Sequence, residues 1–156
     1  MLLRELFVNN KPVISEGGNV EIDGQQAQHI NLKVHQRSFI VPVLNTLLHA
    51  INQEYHRSFK EPLWAAKTLS SQEFLSGSSL HFFNTAGITD QQFVHHKPTV
   101  GDIDTMVDLD KRENLTQFLH AVHNKKVGPA TFRGYKLGNE QFSSLWEFHN
   151  PPIKVQ

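Results

Sequence analysis

The sequence predicts an α/β (α+β) domain with a mixed sheet and helices packed mainly on one side. Three observations carry this expectation. Apolar residues at helical spacing form one broad stripe between Arg37 and Phe59. Two strand-like segments, Phe74-Leu75 and Val100–Val107, are each followed by a turn and a helical pattern. From Ala130 onward, period-two alternation and turn residues predict a run of strands. At 156 residues the chain is long enough for one domain with a core and hardly long enough for two. It is read as a single domain, 1–156, with a loop-rich extension over 1–36 and a core over about 37–156.

The elements follow in order. Asn9-Asn10, Pro12 and Gly17-Gly18 punctuate a loop-rich stretch from 9 to 30. Val20-Glu-Ile22 reads as a short strand ending at the Asp23-Gly24 turn. The first long helix carries Ile40, Val43, Leu44, Leu47, Leu48, Ile51 and Tyr55 on its stripe. Pro42 fits best in a first turn, which places the helix start near Ile40 or Val41. Glu61-Pro62 ends it. Phe74-Leu75 enters the Gly77-Ser78-Ser79 turn, and a short helix begins at Ser79. Thr85 to Pro98 reads as an insertion with a helical turn near Asp90–His95. Asp110 with Glu113 has capping-box spacing and predicts a helix from Lys111 to about Asn124. Ala130–Lys136, Phe142–Phe148 and Ile153–Gln156 complete the series as strands.

Composition narrows the function. The hydrophobic fraction of 38% and charged fraction of 19% indicate a globular chain. Fifteen basic and fifteen acidic residues cancel, which removes any bulk attraction to nucleic acid or a membrane surface. There is no cysteine, so disulfides and thiolate metal sites are excluded. No apolar run approaches the roughly 18 residues that span a bilayer, and Arg4 and Glu5 interrupt the N-terminal apolar stretch. The expectation is a cytoplasmic protein with no membrane partner.

The chemistry centres on two segments. In an extended strand alternate side chains share a face, so Asp102 and Asp104 project together while Ile103 faces the core. Two carboxylates one strand-step apart make an oxygen-rich site suited to Mg²⁺. A Gly-Ser bend lets backbone N–H groups approach a phosphate with no side chain in the way. The pair suggests metal-assisted phosphoryl chemistry on a nucleotide.

The order strand, Gly-Ser, helix, then a strand with Asp-hydrophobic-Asp resembles the DNA polymerase β-like nucleotidyltransferase superfamily. Leu75-Ser76-Gly77-Ser78 is similar to its glycine-serine motif, and Asp102-Ile103-Asp104-Thr105 to its metal-binding pair. Together with Gly128–Lys136, the run resembles bacteriophage-type members, which would place the protein in a host cytoplasm. The likeness covers Glu73 to Gln156. It implies the fold of that superfamily and the transfer of a nucleoside monophosphate from an NTP to an acceptor hydroxyl, with pyrophosphate released. It implies two Mg²⁺ or Mn²⁺ ions, roughly 3.5–4 Å apart, held by Asp102 and Asp104 as catalytic and metal-binding residues. Gly77, Ser78 and Ser79 would bind the nucleotide phosphates. The acceptor is RNA, a protein or a small molecule. The gap between Gly77 and Asp102 is longer than in the family, which makes 84–98 an insertion. The family also carries a third carboxylate on a strand beside the acid pair. Ile153–Gln156 resembles the start of that strand, so the core is expected to be incomplete at its C-terminal end. A catalytically inactive module that binds a nucleotide or a protein partner is the alternative reading.

Other features have plainer explanations. Asp108 and Asp110 end a strand and cap a helix. His95-His96 point apart as neighbours and lack a third ligand at suitable spacing. Trp64, Trp146 and the eleven phenylalanines build the core, and base stacking by Phe132 or Tyr135 is the sharper alternative. Arg133, Lys136, Lys125 and Lys126 are candidate phosphate or acceptor contacts against the ordinary reading of solvated surface charge. Glu147 lies on the strand before the last and is a poor stand-in for the third carboxylate. The serine pairs lack the partner order of a hydrolase.

Overall fold

The computed structural model describes residues 21–156. The segments Met1–Phe7 and 9–20, and Val20 of the first strand, lie outside the described residues. The described chain is α+β, with five α-helices and short antiparallel sheets. Strands β1 (Glu21–Ile22) and β2 (Gln25–Gln26) form a hairpin. Its turn places Asp23 at φ 52° and Gly24 at φ 76°, the pattern of the tight hairpin turns that favour Asp-Gly. Strand β3 (Ile30–Asn31) pairs with β4 (Thr99–Val100). The expected loop-rich extension therefore contributes structure from residue 21 on, and Ile22, Ala27, Ile30 and Leu32 are buried.

Helix α1 runs from Arg37 to Phe59. Its apolar stripe buries Ile40, Leu44, Leu47, Leu48, Ile51 and Tyr55 as predicted, with Val41 buried and the expected Val43 only partly so. Its start is earlier than Pro42 suggested. Pro42 sits inside the helix and offers no N–H to the carbonyl of Ser38. In the turn ahead of it, Gln36 O accepts the Phe39 and Ile40 N–H groups at 3.0 and 2.8 Å, and Asp90, far along the chain, accepts the Ser38 N–H at 3.1 Å. Arg37 is wholly buried. Its Nε donates to Asp90 Oδ1 at 3.1 Å, its other nitrogens reach the carbonyls of His81 and Ile88, and its guanidinium lies 4.8 Å from the Phe93 ring centroid. The 84–98 stretch is thereby latched onto the helix start.

Helices α2 (Ala66–Ser71), α3 (Ser78–Phe83) and α4 (Asp90–His96) follow. The capping box lies at Thr89 and Gln92, not at Asp110 and Glu113. Asp110 instead belongs to a 3₁₀ turn, Leu109–Lys111, that leads into α5 (Arg112–Ala121). The N-cap position of α5 is Lys111, with no side-chain cap. The helix stops earlier than expected, and Asn124 turns the chain at φ 64°.

Strands β5 (Lys126–Val127), β6 (Ala130–Leu137), β7 (Phe142–Phe148) and β8 (Lys154–Val155) form a four-stranded sheet in sequential order. All its pairings are antiparallel, which corrects the expected mixed sheet. The connections explain this: each strand follows its neighbour through a turn too short for the crossover that parallel pairing needs. An irregularity between Phe132 and Gly134 shifts the register of β6 on β7. Phe132, Trp146 and Phe148 face the main core with α1 and α5, and Leu145 packs with Ile22 and Ala27 in a separate cluster. Gly128, at φ 56°, brings the β5–β6 turn against α1, where an added Cβ would lie 2.5 Å from the Ala50 Cβ. No described helix is long and apolar enough to cross a membrane.

Candidate phosphate and metal site

The main chain of Asp104 is hydrogen-bonded to the residues that flank the Gly77-Ser78 bend. Leu75 and Thr105 form an antiparallel bridge. On either side of it, Ser76 N donates to Asp104 O at 3.0 Å and Met106 N donates to Phe74 O at 2.7 Å. On the opposite edge, Ile103 N donates to Gln156 O at 2.9 Å. Hydrogen bonds that alternate direction along 103–106 are those of a strand, although regular pairing ends at Val100 and the expected continuous strand to Val107 is not formed. The indole of Trp64 donates to Met106 O at 2.9 Å and pins the far end.

Burial alternates from Thr105 to Asp108, whereas Asp102, Ile103 and Asp104 are all half-buried. Thr105 and Val107 are buried and Met106 is exposed. Ile103 and Thr105 line a partly open apolar cavity of about 40 Å³ together with Leu44, Leu48, Phe83 and Trp146. In an extended pleat Asp102 and Asp104 share the opposite face, and one carboxylate oxygen of Asp104, Oδ1, is buried. The hydroxyl of Thr105 is buried with no hydrogen-bond partner.

The three bend residues divide. Gly77 adopts φ 57°, ψ −132°, a conformation that side-chain-bearing residues avoid. An added Cβ there would meet nothing within 4 Å, so conformation and not space selects glycine. Gly77 and Ser78 are exposed, and neither donates its backbone N–H to a hydrogen bond among the described residues. Ser79 is 2% exposed and turned inward, and its Oγ accepts the Asp104 N–H at 2.8 Å. That bond was not legible from spacing, since it depends on the register of two distant segments.

The remaining candidates fall away from this site. Arg133 Nε donates to Glu147 Oε1 at 2.7 Å across β6 and β7. The bond from Arg133 is the main cause that holds the Glu147 carboxyl below the usual carboxylate range. Glu147 pairs with Lys154 on β8, and Ile103 lies beyond β8, so Glu147 is separated from the acid pair by a strand. Phe132 is fully buried, so it offers no face to a base. Lys125, Lys126 and Lys136 are exposed. Among the described residues, no group of three or more His, Asp or Glu side chains is arranged to hold a metal ion. No family model matches the chain, and neither does any curated protein or solved structure.

Proposed function

We propose that this chain is a polymerase β-like nucleotidyltransferase domain that binds an NTP between the Gly77-Ser78 bend and the Asp102/Asp104 pair. One observation carries the reading: the bend and the acid segment are hydrogen-bonded to each other through Ser76, Ser79 and Asp104. Exposed, uncommitted N–H groups at Gly77 and Ser78 suit β- and γ-phosphate oxygens. Asp102 and Asp104 would hold Mg²⁺, which supplies charge neutralisation of the triphosphate and acidifies the acceptor hydroxyl. The acceptor oxygen attacks the α-phosphorus, the bond from that phosphorus to the bridging oxygen breaks, and pyrophosphate leaves. The hydroxyl proton passes to solvent or a nearby base. The chain's own contribution is positioning of the two ends of the nucleotide.

The test is titration of ATP with Mg²⁺ or Mn²⁺ against wild type and the double variant Asp102→Asn/Asp104→Asn. Wild type is expected to bind, and the variant to bind at least tenfold more weakly. Equal affinities would overturn the metal role. A second reading, a module that binds nucleotide without turning it over, is favoured by the lack of a third acidic group near the pair among the described residues. Transfer of label from an α-labelled NTP to any acceptor excludes it, and binding without label transfer supports it.

A further inference from the structure

Ser79 does something other than touch phosphate. In an antiparallel ladder flanking the Leu75–Thr105 bridge, the Asp104 N–H would be expected to bond to the Ser76 carbonyl. That carbonyl accepts the Ser79 N–H at 3.1 Å, as the chain turns into α3. The Ser79 hydroxyl takes its place and accepts the Asp104 N–H at 2.8 Å. The main chain of Asp104 is then held through both polar groups, its carbonyl by Ser76 N and its N–H by Ser79 Oγ.

We infer that Ser79 is a positioning residue, whose buried hydroxyl fixes the Asp104 carboxylate relative to the phosphate-binding bend. The inference rests on the nucleotide reading proposed above and assigns the neighbouring serines opposite duties. Ser78 is exposed at the bend to which the phosphates are assigned, whereas Ser79 is buried against the acid segment. A positioning role for the metal-binding acid predicts a loss confined to conditions in which metal is present.

The experiment compares wild type, Ser79→Ala and Ser78→Ala by ATP titration in Mn²⁺ and again in EDTA, with amide hydrogen exchange at Asp104 measured alongside. Ser79→Ala is expected to lower affinity at least tenfold in Mn²⁺, to leave affinity in EDTA unchanged, and to speed Asp104 exchange at least tenfold. Ser78→Ala keeps the backbone N–H assigned to phosphate and is expected to lower affinity in Mn²⁺ less than Ser79→Ala does. Equal loss in Mn²⁺ and EDTA for Ser79→Ala would show a loosened bend and overturn the inference, as would unaltered Asp104 exchange. Should Ser79→Ala not fold, Ser79→Cys keeps the volume with a poorer acceptor and is held to the same outcomes. If wild type binds no ATP in Mn²⁺, the nucleotide reading fails and the positioning role with it. Asp104 exchange then decides the hydrogen bond alone.

Discussion

Arg37 is a fully buried charge at the start of the longest helix, and its partners all come from residues 81–93. Removing one member of such a pair leaves the other charge without compensation. Asp90 keeps part of its surface in water, and Arg37 retains two carbonyls and the Phe93 ring, so the cost lies at the low end of the usual range. Asp90→Ala is expected to lower stability by about 2–3 kcal/mol, read from the urea midpoint. The same carboxyl is held below the ordinary carboxylate range, first by hydrogen bonding at Ser38 and then by Arg37. A depressed folded pKa contributes stability that is present above the unfolded value of about 3.9. That contribution fades as pH falls through the lower folded value, and Asp90→Asn should flatten the acid limb of the unfolding curve. Thr105 offers the converse case, since its hydroxyl is buried in the cavity wall without a partner. Thr105→Val is expected to raise stability by about 1 kcal/mol. A loss on thermal unfolding would instead mean that a cavity water satisfies the hydroxyl.

Elements show which parts of the fold a local pattern can reveal. Helix α1 was legible because its stripe of eight buried positions repeats at helical spacing. Strand β7 was legible in full, and β6 to within one residue, because apolar residues and turn signals bound them. Helix α2 was missed because it buries none of its six residues and so carries no stripe. Among the two-residue strands, β2, β3 and β5 are too short for any period to register, whereas the Asp23-Gly24 turn marked β1, and the readings at Val100–Val107 and Ile153–Gln156 overlapped β4 and β8. The expected mixed sheet gave way to an antiparallel one because the turns between successive strands are too short for a parallel crossover. The β5–β6 turn makes a demand of its own. Gly128→Ala would set a Cβ 2.5 Å from that of Ala50 and force a side-chain-bearing residue to φ 56°. A loss of about 2–3 kcal/mol is expected, from the combination of overpacking and backbone strain, and differential scanning calorimetry would measure it.

Across the whole molecule, the candidate site was legible as residue types and not as connections. Gly77, Ser78, Asp102 and Asp104 stood out because glycine beside serine and alternating aspartates each have a local physical meaning. The inward turn of Ser79, the bond from Ile103 to Gln156 and the burial of Arg37 join segments far apart in the chain, and no window of sequence displays them. The Asp90 latch extends this to biosynthesis. Helix α1 has no side-chain cap from its own N-cap residue, and its first turn is secured by a carboxylate 52 positions later. On a translating ribosome the helix emerges well before that carboxylate is made. Until residue 90 clears the exit tunnel, that turn has only the Gln36 carbonyl to close it, and Arg37 lacks its carboxylate partner.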